Sequence, residues 1–294
     1  MYLFRIHIRP QGGSADMPKT FDYCLRHELL GVGWRTESQN NTKNWDEFYK
    51  EASSIHDNLD ICKYINKWVS EGDLVWTRDL DGHYYLARVK SGWEYWTCEE
   101  ADNNDIDIAN IFRCEIRRVD IDEVPGNVVA CFRPARTIQE IADSKAREYS
   151  KHLWNKISGN DTYEVDNSLY SDIFMMLDDE ETEDLLFLYL QSKGWYVLPN
   201  SRKADTMSFE FLVVNPISNE RALTQVKTGN TQLNIDDYAN IPSKVFLFQS
   251  NEIFCGQSSP NVVCVSRQEL IDFMDSSTAW LPKSFTRKID LLRK

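Results

Sequence analysis

Residues 183–227 read EDLLFLYLQSKGWYVLPNSRKADTMSFEFLVVNPISNERALTQVK, and this stretch decides the C-terminal half of the chain. Its first part is helical: Leu185 to Leu190 is apolar and follows the acidic run Asp178-Asp179-Glu180-Glu181, which suits the positive end of a helix dipole. Gly194-Trp195 stops the helix, and short apolar runs then predict strands over 195–198, 209–214 and 222–226, with a turn at 215–220. Strand side chains alternate with period two, so Gln225 and Lys227 share one face. Glu183, Asp205 and Glu210 supply carboxylates upstream of them. Carboxylate oxygens hold hard divalent cations, and a nearby lysine steadies developing negative charge. Together these residue types suit metal-assisted cleavage of a phosphodiester.

Two further runs, 244–248 and 262–265, predict strands, and 267–274 predicts a helix. Helix, three strands, then strand and strand-helix is an α/β plan. The acidic run 178–181 is expected to be a solvated helix start.

The N-terminal half reads differently. Residues 1–8 alternate as a strand does and do not resemble a signal peptide. Residues 44–69 have helical spacing through Trp45, Phe48, Ile55, Ile61, Ile65 and Val69. Residues 73–78 and 83–89 form two strands joined by Asp79-Leu80-Asp81-Gly82, a hairpin with Asp-Gly at its tip. Trp93 to Trp96 begins another strand. Residues 137–157 are expected to be a helical connector, with Ile138, Ile141 and Ala142 on one side, broken by Ser158-Gly159. The domain boundaries expected are 1–135, a connector 136–164, and 165–294.

Bulk properties narrow the function. The 294 residues suffice for two cores. A net charge of −13, with acids in excess in both halves, argues against nonspecific polyanion binding but leaves room for a local basic groove. No apolar run approaches the roughly 18 residues of a membrane helix. The seven cysteines form no CxxC pair, so reduced thiols in a cytoplasm are expected and a structural zinc is not. The five histidines make no metal-spaced pair.

The order Glu183, Gly194-Trp195, Phe209-Glu210-Phe211, Gln225-Val226-Lys227 resembles the PD-(D/E)xK nuclease superfamily, in its Mrr-like branch with Gln in place of the second acid. The resemblance covers residues 165–275. It implies a restriction-endonuclease-like α/β domain and Mg²⁺- or Mn²⁺-dependent DNA endonuclease activity. Glu183, Asp205, Glu210, Gln225 and Lys227 would be catalytic, with Glu210, Asp205 and Glu183 on the metal. Glu210 fits the strand frame, whereas Asp205 lies five residues earlier, so the main ligand stays open between them.

In residues 1–135, Gly72-Asp73-Leu74-Val75-Trp76 followed by Tyr84-Tyr85-Leu86-Ala87-Arg88-Val89 resembles the PUA/EVE/YTH barrels. That resemblance implies a β-rich (α+β) domain that senses a modified or unpaired base. Aromatic walls can hold such a base, and Trp34, Trp76, Tyr84 and Trp93 are the base-binding candidates. Trp34 leads because it follows Gly31-Val32-Gly33, where backbone can approach a ligand closely. Taken together, the resemblances imply a prokaryotic restriction or anti-phage factor that meets DNA, modified phage DNA included, as a homodimer or defence-complex subunit. The competing expectation is a non-catalytic nucleic-acid-binding or regulatory subunit on a degenerate nuclease fold.

Overall fold

The computed structural model describes residues 1–10, 15–36, 42–168, 170–203 and 209–293. The chain divides into two compact units, Met1–Asn167 and Ser168–Lys294, both mixtures of helix and sheet.

The first unit contains, in chain order, β1 (Leu3–Ile6), α1 (Met17–Arg26), β2 (Leu29–Val32), β3 (Thr42–Lys43), α2 (Trp45–Ala52), α3 (Asp60–Trp68), β4 (Leu74–Arg78), β5 (Tyr84–Val89), β6 (Glu94–Trp96), α4 (Glu99–Asn103), β7 (Asn110–Val119), α5 (Gly126–Cys131), β8 (Ile138–Glu140) and α6 (Ser144–Ser158). Its eight strands form one sheet in the order β3-β6-β7-β5-β4-β1-β8, with β2 on β7. β4 and β5 form the expected hairpin, with Val75 opposite Ala87, and Gly82 closes its turn at φ 85°, where a side chain would be strained.

Alternation along the strands builds two cores. Phe4, Ile6, Val75 and Ala87 point to one face and pack with Phe21, Phe48, Cys62 and Ile65 from α1, α2 and α3. Leu3, Trp76, Tyr84 and Leu86 point to the other and pack with Val128, Tyr149, Leu153 and Trp154 from α5 and α6.

Two expectations are corrected here. The helix over 44–69 is two helices, because Ser53 to Leu59 carries small and polar residues that bond locally instead of continuing the spiral. The connector over 136–164 is not a separate element. Ile138–Glu140 is a strand antiparallel to β1, and α6 covers the sheet through its buried Tyr149, Leu153 and Trp154. The helix ends at Ser158, where Gly159 adopts φ 72°.

The second unit contains α7 (Ile173–Met176), α8 (Asp179–Ser192), β9 (Tyr196–Val197), β10 (Phe211–Val214), β11 (Arg221–Lys227), β12 (Leu233–Asn234), β13 (Lys244–Gln249), β14 (Phe254–Cys255), β15 (Val262–Val265), α9 (Arg267–Ser277) and α10 (Lys283–Leu292). Five strands form a mixed sheet in the order β15-β13-β11-β10-β9, in which β11, β13 and β15 are parallel and β9 and β10 run antiparallel. One face carries Leu223, Val245 and Leu247 under Leu233 and Tyr238.

The acidic start of α8 is more than a solvated cap. Asp178 and Glu181 form a capping box, each side chain bonding the other's backbone N–H. Glu181 is also buried and paired with Lys288 of α10, itself buried. A lysine 107 residues away is invisible to a local reading of the run. No helix among the described residues is long and apolar enough to cross a membrane.

Candidate functional site

Register brings the site together. Phe211 pairs with Thr224 across β10 and β11, and the Glu210 N–H donates to the Thr224 carbonyl at 2.8 Å. Phe211 and Thr224 are buried on one face, so their neighbours Glu210, Gln225 and Lys227 fall to the other. There Gln225 Nε2 donates to Glu210 Oε1 at 2.9 Å, and Lys227 Nζ donates to the same oxygen at 3.2 Å. The shared face expected of Gln225 and Lys227 therefore converges on a single carboxylate.

Glu183 reaches the site from α8. Its carboxyl is pushed up to about 7, first by burial and then by the charge of Glu210, while Arg202 pulls it the other way. Arg202 is itself engaged by Asp184 at 2.5 Å and lies over the Phe187 ring. Asp205 lies outside the described residues.

The donor set fits a hard divalent cation. Glu183 and Glu210 oppose each other, and a cation would relieve that repulsion. Gln225 is 1% exposed, and its Oε1 is buried without a hydrogen-bond partner, an orphaned acceptor on the side chain that bonds Glu210. Glu183, Glu210 and Gln225 Oε1 are the groups that would hold the ion, and Lys227 balances Glu210 at the edge of the site.

Several supporting residues escaped the sequence reading. Thr228 Oγ1 donates to Asp179 Oδ1 at 2.5 Å, fastening the end of β11 to the start of α8. Gln249 is fully buried at the end of β13. Its Nε2 donates to the Gly229 and Thr231 carbonyls, and its Oε1 accepts from the Asn251 and Ile253 N–H groups. All four of its bonds are made, and they hold the loop that follows Lys227. A glutamine closing the apolar run Val245-Phe246-Leu247-Phe248 was the available signal. Tyr238 also feels the site: its phenol is raised by burial, then by Asp237 and Glu210.

The base-binding candidates separate. Trp76 is fully buried, with its indole N–H on Ser150 Oγ at 3.0 Å, and Tyr84 is buried in the same core. Both are core residues and are withdrawn as base contacts. Their strand face, turned to α5 and α6, is the reason. Trp93 is half-buried, edge-on to Trp45 at 4.9 Å, and bonded to Asn110 Oδ1 at 3.0 Å, a packing role. Trp34 is different. It lines a groove of about 680 Å³ with Arg9, Asn58, Ile61 and Arg136. It adopts φ 62°, a left-handed conformation that is strained for a bulky residue. Buried Asn110 holds that turn by donating to the Gly33 carbonyl at 2.6 Å, and the Trp34 indole donates to the Asn58 carbonyl at 2.8 Å.

Among the described residues, one group of three His, Cys, Asp or Glu side chains has a metal-like spacing: Asp79, Asp81 and His83 at the β4–β5 turn. Hydrogen bonds account for it. His83 Nδ1 and Tyr85 Oη both engage Asp79 Oδ2. Burial pushes Asp79 up, but the His83 backbone N–H, then the His83 ring and the Tyr85 hydroxyl, outweigh it and hold the carboxyl below its ordinary value. The group locks the turn.

Compared with known proteins, the chain matches no family model, no curated protein and no solved structure.

The raised Glu183 carboxyl, set first by burial and then by Glu210, has a measurable consequence. Between pH 4.5, the ordinary value, and about 7 the unfolded chain releases the Glu183 proton while the folded chain keeps it, so stability falls as pH rises through that window. Glu183→Gln removes the penalty. With chelator present, the variant is expected to exceed the parent at pH 8 by on the order of 1 kcal/mol after solvent screening, and to match it at pH 4. Urea unfolding at both pH values tests this; an equal difference at both would remove the charge explanation.

Proposed function

We propose that the C-terminal unit is a metal-dependent nuclease of the PD-(D/E)xK type that cuts DNA, and that the N-terminal unit senses a base through Trp34. The observation that carries the first part is the convergence of Gln225 and Lys227 on one Glu210 oxygen with Glu183 opposite. A divalent cation at these carboxylates would polarise the phosphoryl group and make water a better nucleophile at neutral pH. The side chains do the rest. Lys227 offsets charge that builds on the phosphate, and Gln225 fixes the Glu210 carboxylate. Glu183 and Glu210 set the negative field that selects a cation. The test is cleavage of phage DNA, modified and unmodified, with Mg²⁺ and with Mn²⁺. Sustained absence of products with both ions and all substrates would reject the reading.

A second reading has its own support. Lys227 is already paired with Glu210, which also accepts from Gln225. A degenerate nuclease fold that binds without cutting fits a lysine engaged in this way. The anti-phage role, a homodimer or defence-complex setting and a cytoplasmic site of action all belong to the first reading and stand or fall with it.

For the sensing unit, stacking on one aromatic face contributes about 1–3 kcal/mol per base. Trp34→Ala is expected to weaken binding to the recognised DNA about tenfold while moving the melting temperature little, since the ring is half-buried over a groove. Anisotropy titrations beside melting curves decide it; parallel losses in both would make Trp34 a packing residue.

A further inference from the structure

The first unit carries a cluster of positive charge to which neither reading gives a role, although it borders the Trp34 groove. Along β1 and its extension, Arg5, His7 and Arg9 alternate with the core residues Phe4, Ile6 and Ile8, so period two sets them on one face. Arg5 pairs in register with Trp76, and Arg78 follows two residues later on the same face of β4. Phe132 gathers three of these groups: its ring lies 5.9 Å from the Arg5 guanidinium carbon, 5.6 Å from that of Arg78, and 5.2 Å from the His7 ring. Arg136 closes the cluster, its carbonyl accepting from Arg5 Nη1.

Arg5 is the unusual member. It is 0% exposed, and its other contact is the neutral Gln139 Oε1 at 3.3 Å. Its Nε is buried without a partner. Among the described residues, no carboxylate forms an ion pair with Arg5, Arg9, Arg78 or Arg136. Burying a charge with only neutral partners is costly. His7 sits in the same field: burial, then Arg5, Arg78 and Arg9, lowers its pKa. Nearby acids do not neutralise the cluster. Asp22, Asp79 and Asp81 line the cavity of His7 and Arg78, but Asp22 pairs with Arg26 and Asp79 is taken by His83 and Tyr85, while Asp60, which lines the Trp34 groove, pairs with Lys63.

The cluster is also accessible. His7 and Arg78 share a cavity of about 200 Å³, His7 and Arg9 one of about 420 Å³, and Arg9 and Arg136 the groove of about 680 Å³. We propose that this face of the first unit, which carries Arg78, His7, Arg9 and Arg136 along adjoining cavities beside buried Arg5, binds a phosphate group. Guanidinium groups match phosphate in shape and charge, and a phosphate here supplies the counter-charge that the fold withholds. The group arrives as a free ion or on a nucleic-acid strand. The proposal does not depend on the C-terminal unit cutting DNA.

The experiment uses the full chain. Melting is measured in inorganic phosphate and in chloride of equal ionic strength, and a fluorescent single-stranded oligonucleotide is titrated by anisotropy. The parent should melt higher in phosphate than in chloride. The double variant Arg9→Gln/Arg78→Gln should lose that rise and bind the oligonucleotide about tenfold more weakly. A phosphate response without oligonucleotide binding identifies a free phosphate ligand; both responses, lost together, identify a strand. Equal behaviour of parent and double variant with both probes overturns the proposal. Arg5→Met supplies a second reading. An uncompensated buried cation replaced by an apolar chain should melt no lower in chloride and should lose the phosphate response. A lower melting temperature with the response intact would make Arg5 a structural residue and overturn the buried half of the site.

Discussion

Replacing Lys227 by alanine is expected to lower Mg²⁺-supported DNA cleavage by about 10²–10³-fold, the usual cost of losing one preorganised group at a developing charge. Binding of DNA and the unfolding midpoint should stay close to the parent. The argument starts from the strand. Lys227 ends β11, and its partly exposed ammonium meets the half-buried Glu210 at Oε1. Losing one such partly solvated pair costs little beside the stability of the unit, so a large loss of activity would not come from unfolding. The Glu210→Gln variant adds a second arm. It keeps the shape and the contact with Gln225 but removes the charge that a cation needs, so its cleavage should fail while excess Mg²⁺ restores only part of it. Single-turnover kinetics with product analysis settles both. Full activity in Lys227→Ala would sink the assignment of Lys227 and move weight to the binding-only reading.

The legible part of this site was the part governed by strand period. Gln225 and Lys227 lie two apart in a run bounded by turns, and that alone places them on one face. Glu210 joined them because it stands one residue before an apolar strand whose register to β11 follows from a short connecting turn. Glu183 was legible only through its spacing to Gly194. What escaped depends on distant chain. Gln249 lies 20 and 18 residues from the Gly229 and Thr231 carbonyls it fastens, and nothing local says that these bonds close a loop. In the first unit the same contrast holds. The β4–β5 hairpin was readable from its turn, but β7, the ten-residue strand that β2, β5 and β6 all pair with, was not. Arg113, Glu115, Arg117 and Arg118 give it the look of a charged surface segment, although Phe112 and Cys114 alternate into the core. Trp76 and Tyr84 show the opposite case. Large aromatics on two paired strands suit a base contact by type alone, but α5 and α6, distant in sequence, cover the face they share.

The largest stability effect in the second unit is expected from Lys288→Met, about 3–5 kcal/mol, because it leaves a buried carboxylate without its partner. Lys288 donates to both oxygens of Glu181, and both side chains are almost wholly buried. Glu181 cannot swing to water without abandoning the Asp178 N–H that it caps. Asp178, raised by burial and then by Glu181, is lowered by Lys288, so the loss extends to a second acid. The double variant Glu181→Gln/Lys288→Met isolates the charge. Glutamine still serves a capping box, and neither member of the buried pair is left as a lone ion, so most of the stability should return, less what Lys288 gave Asp178. Denaturant unfolding, with amide exchange along α8 to localise the change to this unit, measures each step of the cycle. Because Glu183 lies two residues after Glu181 on the same helix, the single variant should also loosen Glu183 against Glu210 and slow cleavage, and the double variant should restore it. Stability regained without activity would show that the helix start does more than hold Glu183 in place.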